Sequence, residues 1–570
     1  MNFKGLTPFL LFVAAGSAVE AQTIKPLDVA KDPNGVDWIS GQITAELPVL
    51  EIPAAPSLTF QSLRDFMPYL EGSYNSSGYS GGDGSHSASV NAGKYGTSSF
   101  SCSPDCRDTK GGGALLAGHP TSPVYIYAQG GTGVKVRFDL RNNLQGYPTG
   151  TDKFNLLATR IVLPEGETLT FSYQGHVTGT YNGRQYKVHR PVSVRSSIGY
   201  TLSFQYQSDV YGGDWTELKR ARITRDAAPS VVLAELQYSE TTVTDLAGRV
   251  WSCSNCRSWT GGPQPGSFLS MQLPGRTVPS VVAEGQYMDH PGPAPAHSKY
   301  VTSVTRDGVR YDYSWEEYSN VFEPTPHVKS VRITGPDNFV WEVSLLNKIN
   351  ASPCSSNVWC GSWFDRTLIK SFTDSAGRRT EYEHDEGDRL RRIRLPEGNS
   401  VEVDYDSAGN ITARRQVPKP GSSLPILSQT SFFDLSGHSL GDCGSFQCWR
   451  PKWIQDSRGN RTDYTWSDAH GQLLTQLDPP NEQSRRKKLK MDYDDRSRLV
   501  REEICETDVN GTELTCGTAA SYVRTFTYFR ATSLIASETR TNGTGDTSLT
   551  TTFEYDDAGR QIAHTPPAGT

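Results

Sequence analysis

The chain has 570 residues, a formal net charge of −6 and a charged-residue content of 21%. That length exceeds what one hydrophobic core organises, so several units or a repeat array are expected, and the slight acidity gives no electrostatic case for nucleic acid. With 53 glycines, 34 prolines and 26 tyrosines, and no long apolar pattern at helical spacing, the chain reads as short strands and tight turns.

The N-terminus has the three parts of a secretory signal. Met1 to Lys4 carry one positive charge, Gly5 to Val19 form an apolar stretch, and Val19 and Ala21 are small residues ahead of Gln22. The apolar stretch is shorter than the ~20 residues a membrane-spanning helix needs. Residues 1–21 are therefore expected to be a signal peptide, and the mature chain an exported protein, periplasmic, cell-surface or secreted, with no transmembrane segment. Residues 22–155 follow as an irregular β-rich region with a Gly/Ser-rich loop at 72–113, in which Asp83, Ser85 and His86 read as loop residues and not as a triad.

From about 156 the sequence repeats. Leu163-Pro-Glu-Gly-Glu-Thr-Leu-Thr-Phe-Ser-Tyr173 matches Leu395-Pro-Glu-Gly-Asn-Ser-Val-Glu-Val-Asp-Tyr405, and Ser197 to Tyr206 is a third copy without the proline. In each, a turn feeds a strand whose apolar residues alternate, which puts them on one sheet face. A second element follows the strand: Tyr405-Asp406-Ser-Ala-Gly409 and Tyr555-Asp556-Asp-Ala-Gly559, with looser copies at Asp245–Gly248, Asp374–Gly377, Asp434–Gly437 and Asp456–Gly459. An Asp carboxylate accepts a backbone N–H two residues on, and Gly supplies the positive φ that closes the turn. The Tyr493-Asp-Asp-Arg-Ser copy lacks the glycine. One unit of roughly 20 residues cannot bury its apolar face alone, so units stack side by side. Residues 156–360 form the degenerate part of this array and 361–570 the regular part.

The ten cysteines fall into five close pairs, Cys102/Cys106, Cys253/Cys256, Cys354/Cys360, Cys443/Cys448 and Cys505/Cys516. In an exported chain these read as local disulfides. Cys253-Ser-Asn-Cys256 also has zinc spacing, but zinc needs four ligands and no second pair accompanies it. His384-Asp-Glu-Gly-Asp388 offers carboxylates for calcium, yet overlays a repeat turn and falls short of a calcium loop. Gly437-His-Ser439-Leu-Gly441 fits a nucleophile elbow, but no helix follows it, so Ser439 is a weak nucleophile candidate. The basic run Ser484 to Lys490 is expected to be a solvated loop. No cofactor or metal is expected.

At these residues the chain resembles the YD-repeat, or Rhs-repeat, family of large secreted and surface proteins. The match is clearest at 371–416, recurs at 453–475, 491–503 and 552–564, and is weaker over 160–345. The opening Gly35-Val-Asp-Trp-Ile-Ser-Gly stretch is also similar to the start of many members. The resemblance implies an all-β fold of repeated antiparallel hairpins in a long curved or spiralling sheet, sometimes closing into a hollow shell around a C-terminal toxin domain. It implies a non-enzymatic shell, presentation or surface-interaction role, within a toxin or contact system; the alternative is an envelope-associated, carbohydrate-binding adhesin or lectin-like module using surface glycans. Because the sequence stops in mid-repeat, the last strand is expected to leave an open sheet edge near Thr570 for a continuation or a separate chain.

Overall fold

The computed structural model describes residues 32–567 except 40, 42, 44–47, 62, 75–85, 93–96, 103–105, 109–113, 119–123, 130–133, 142–151, 182–183, 254–265, 290–296, 318–327, 351–362, 387–388, 407–408, 435–445 and 547. Among the described residues thirty-six strands form one antiparallel sheet in which each strand pairs with its successor. The described helical structure is confined to single turns such as α1 (Leu63–Phe66).

The first eight strands are β1 (Tyr69–Tyr74), β2 (His86–Asn91), β3 (Thr97–Cys102), β4 (Cys106–Asp108), β5 (Ala114–Gly118), β6 (Tyr125–Gln129), β7 (Lys135–Arg141) and β8 (Asp152–Val162). They close on themselves, because β1 pairs with β2 on one side and with the first half of β8 on the other. The second half of β8 instead hands the sheet on to β9 (Thr168–Tyr181). This corrects two expectations. The Gly/Ser-rich stretch 72–113 holds β2, β3 and β4, since ladder hydrogen bonds need only backbone, and a closed circuit leaves no weak edge; Val90 and Ala92 at its core are fully buried. The boundary expected at 155 falls inside β8.

Next come β10 (Arg184–Ser196), β11 (Tyr200–Tyr206), β12 (Leu218–Arg225), β13 (Ala228–Tyr238), β14 (Thr242–Asp245), β15 (Val250–Cys253), β16 (Gly266–Gln272), β17 (Val281–Asp289), β18 (His297–Arg306), β19 (Val309–Glu317), β20 (Val328–Thr334), β21 (Val340–Asn350) and β22 (Trp363–Thr373). The regular repeats are β23 (Arg379–His384), β24 (Leu390–Arg394), β25 (Ser400–Tyr405), β26 (Ile411–Val417), β27 (Leu427–Phe432), β28 (Trp453–Gln455), β29 (Arg461–Trp466), β30 (Leu473–Leu477), β31 (Arg486–Tyr493), β32 (Leu499–Thr507), β33 (Tyr522–Tyr528), β34 (Ile535–Asn542), β35 (Ser548–Tyr555) and β36 (Gln561–Thr565). Among the described residues β36 pairs only with β35.

The basic run predicted as a loop is strand β31. Its charges are neutralised across the sheet: Arg486 meets Asp463 at 2.7 Å, while Lys488 and Lys490 meet Glu513 at 2.8 and 3.2 Å. Asp463 lies on β29, one strand beyond β30, and Glu513 in the β32–β33 connection, so acids from either side hold this basic run in the strand state. The same alternation runs along this face at Glu402, which lies 2.7 Å from Arg392 and 3.6 Å from Arg415.

The other face is apolar and carries the N-terminal segment. Trp38 stacks on Phe372 at 6.1 Å between ring centres, and Val36 and Trp38 lie among buried residues of β17 to β22. Further on, Leu50, Ile52, Leu58 and Phe60 are buried with Phe171, Leu202 and Phe204 of β9 and β11. Val401, Val403 and Tyr405 alternate along β25 toward the same side as Phe372, through the register Phe372↔Thr380, Tyr382↔Ile393 and Ile393↔Val401. Tyr405 and Phe372 thus share the apolar face of the sheet, while Tyr211, Phe432 and Tyr522 are exposed.

Candidate functional site

The repeat turns share one hydrogen-bond scheme. At Asp456 the backbone N–H donates to Asn460 O at 3.0 Å, and Gly459 N–H donates back to Asp456 O at 3.1 Å. The Asp456 carboxylate accepts the N–H groups of Arg458 and Asn460, both at 2.9 Å, and the Asn460 side-chain amide at 2.9 Å. Gly459 takes φ +84°. Asp374 with Gly377 (φ +74°) and Arg378, and Asp556 with Gly559 (φ +83°) and Arg560, repeat the scheme. Asp406 with Gly409 (φ +91°) and Asn410 do so as well. The fifth residue, Arg or Asn, completes each turn; its recurrence after Gly in the sequence is the signal that spacing alone passed over. The hydrogen bonds hold the Asp374 carboxyl below its usual range, first through Arg378, and that of Asp456 likewise through Asn460. The copy without glycine keeps the turn: Ser497 takes φ +60°, and Asp494 accepts from Arg496 and Arg498.

The tyrosine ahead of the turn does a second job. Tyr405 donates to Leu390 O, Tyr493 to Leu473 O and Tyr555 to Ile535 O, each at 2.8 Å. In each case the acceptor is the first residue after the preceding turn on the same rim. At two turns the preceding arginine also lies over the tyrosine ring: Arg389 over Tyr405 at 4.7 Å, and Arg498 over Tyr528, itself bonded to Leu499 O, at 4.5 Å. Successive turns are therefore stacked by charge, ring and hydrogen bond.

Among the cysteines, Cys505 and Cys516 are bonded, with Cα atoms 4.9 Å apart. Cys253 and Cys448 each belong to a separate disulfide whose other cysteine lies outside the described residues. Cys102 and Cys106 occupy facing register positions of β3 and β4. Cys256, Cys354, Cys360 and Cys443 lie outside the described residues, as do Ser439, Asp83, Ser85 and the Asp434 copy beyond Asp434 itself. Among the described residues no group of His, Cys, Asp and Glu is arranged to hold a metal ion, and no helix is long and apolar enough to cross a membrane.

The feature that sequence spacing does not reveal is a seam. The connection between β8 and β9 faces the one between β31 and β32: a Cβ on Gly166 would lie 3.6 Å from Arg496 O. The β10–β11 connection meets both β33–β34 and β35–β36: Tyr200 donates to Asp557 O at 3.3 Å, with Arg530 beside it. The β12–β13 connection faces β35–β36, with Arg225 2.8 Å from Asp557. The offset in strand number is the same at the first and third of these places, while Tyr200 spans two neighbouring turns. Asp557 also meets Arg530 at 2.6 Å, and these two cations hold its carboxyl low, the Arg530 hydrogen bond foremost. The N-terminal segment is laced into the seam: Ala54 N–H donates to Ala558 O at 3.1 Å, and Ser57 donates to Glu167, which Ser196 also contacts. At the other end of that segment, the buried Asp32 accepts from Tyr313 and from the N–H groups of Asn34 and Val36, and burial pushes its carboxyl up. One rim of the last repeats thus rests on the opposite rim of the first, and the sheet winds as a spiral.

Neither a family model nor a curated protein sequence matches this chain. Solved structures overlap it broadly and loosely. A crystal structure of TcdB2-TccC3-Cdc42 does so at TM-score 0.28 and 9% identity, over 85% of this chain and 28% of the other. A crystal structure of TcdB2-TccC3 gives TM-score 0.24 and 8% identity over 84% and 28%. The Photorhabdus luminescens Tc holotoxin pore gives TM-score 0.21 and 9% identity over 85% and 30%. The chain spans under a third of the length of these structures, and a likeness this loose carries no functional argument.

Proposed function

We propose that this chain is an exported, non-enzymatic scaffold of the YD/Rhs-repeat type, a spiral sheet that serves as part of a shell or surface-presentation assembly in a toxin or contact system. The observation that carries the reading is the seam, where successive turns from opposite rims meet. Such a contact makes a wall, not a cleft. The recurrent aspartates support it: their carboxylates are consumed by their own turns, Asp374 by Arg378 and Asp556 by Arg560 among them. The disulfide at Cys505–Cys516 suits an oxidising destination.

The test is fractionation of producing cells followed by N-terminal sequencing. A mature chain beginning at Gln22 in the exported fraction supports the reading; an intact Met1 in the cytoplasmic fraction contradicts it. A serine-hydrolase probe labelling Ser439 would replace the scaffold with an enzyme, and saturable binding on a glycan panel would replace it with the lectin.

A further inference from the structure

The β32–β33 connection, residues 508–521, folds back over the charged face of the sheet. It opens as a repeat turn: Asp508 accepts the N–H groups of Asn510 and Thr512 at 2.9 and 2.8 Å, and Gly511 takes φ +89°. The register of β33 on β32 covers only Arg501 to Ile504, and the returning connection takes its place beyond that point. Thr507 bridges to Glu513, Leu514 N–H donates to Glu506 O at 2.9 Å, and Glu506 N–H donates to the Thr515 hydroxyl at 2.8 Å.

The ties that pin this connection lie on one face, for Cys505 stands opposite Lys488 and Glu503 opposite Lys490 in the β31–β32 register. Cys516 is bonded to Cys505, and Glu513 reaches both lysines. The Glu503 carboxylate accepts Gly517 N–H at 2.6 Å and the Ser521 hydroxyl at 2.9 Å. Beneath the connection Glu503 is 2% and Cys505 4% exposed, while on it Cys516 is half-buried and Leu514 49% exposed. Thr512, Thr518, Ala519 and Ala520 are exposed as well. With so little apolar surface of its own buried, the connection is held by polar ties and one covalent bond.

We propose that Cys505–Cys516 is a redox catch and residues 508–521 the flap it holds shut. Reduction of that bond opens the flap, uncovers Glu503 and separates Glu513 from Lys488 and Lys490. A dithiol reductant carries the step by thiol–disulfide exchange. Its thiolate attacks Cys516, the more exposed of the two residues, and Cys505 leaves as the thiolate. The second thiol of the reductant then closes on the first and releases Cys516. Two electrons and two protons pass from the dithiol to the cystine, and the reductant ends as a disulfide. Closing runs the same exchange in reverse with a disulfide oxidant. The wall at this rim is therefore complete only in an oxidising compartment, a property beyond the scaffold reading and independent of the spiral.

The test is amide hydrogen exchange of the full mature chain, oxidised, reduced with dithiothreitol and reoxidised with oxidised glutathione, beside a Cys505→Ser/Cys516→Ser chain. Expected is at least a tenfold rise in exchange at 513–521 on reduction, reproduced by the double variant without reductant and reversed by reoxidation. Exchange at 456–460 and 494–498 should stay unchanged. If the double variant does not fold, stepwise reduction of the parent chain with differential alkylation identifies the bond whose loss opens the flap. A reduced flap that stays protected, or a rise shared equally by 456–460 and 494–498, overturns the proposal. So does opening that follows reduction of another cystine while Cys505–Cys516 is intact. Ala54 and Gly559 report on the spiral in the same measurement: protection lost there with a working catch sinks the spiral alone, and protection kept there with a dead catch sinks the flap alone.

Discussion

Glycine at the fourth position of a repeat turn answers two demands, and two sites separate them. Gly377 takes φ +74° with nothing within 4 Å of a would-be Cβ, whereas Gly559 takes φ +83° with Ala54 N 2.4 Å away. Gly377→Ala should therefore cost only the left-handed strain, about 1 kcal/mol. Gly559→Ala should cost clearly more and loosen residues 52–58, as measured by urea unfolding and hydrogen exchange; equal costs would deny that the seam exists. The turn aspartates set an acid limit. Asp374 and Asp456 have carboxyls lowered from 3.8 by their turn hydrogen bonds. Their contribution is fully present above the ordinary pKa and lost as pH falls through the lowered values. Asp32, raised by burial, works weakly the other way. Melting temperature should stay flat above about pH 5 and drop below about pH 4; a flat profile down to pH 2 would contradict the turn scheme. The Asp and Gly of these turns were legible in the sequence because both are demanded locally. Ser497 was read only as a departure, since nothing local says that a serine will accept φ +60° when Arg498 and the stacked turns around it hold the backbone there.

At the scale of the element, the tyrosine of each repeat ties one hairpin to the one before it. Burial pushes the Tyr405 hydroxyl up to about 12, and its proton is committed to Leu390 O. Tyr405→Phe should cost about 1 kcal/mol and speed amide exchange at 385–390, without altering the strands' circular-dichroism signature. An unchanged exchange pattern would mean the hydroxyl is not the tie. Strand alternation was readable wherever valine, leucine and tyrosine marked one face, as in Val401 to Tyr405. It was not readable in Arg486 to Lys490, because the partners that make this run a strand, Asp463 and Glu513, lie on other hairpins. Nor was it readable in 72–113, where serine and glycine give no apolar period and only the closure of β1 on β8 supplies the reason to pair.

For the whole molecule, the repeat announced stacked hairpins, but the winding came from contacts that no local pattern encodes. Gly166 with Arg496, Tyr200 with Arg530 and Arg225 with Asp557 join residues more than 300 positions apart, and the N-terminal segment crosses between them. Strands lie about 4.8 Å apart, so in an unrolled sheet β9 and β31 would stand roughly 100 Å from each other. The most direct measurement is a spin-label distance between probes at Glu165 and Arg496 in the mature chain. The spiral scaffold predicts a short, narrow distribution, broadened by the Gly559→Ala substitution. A broad distribution centred near the unrolled distance would contradict the seam, and with it the scaffold.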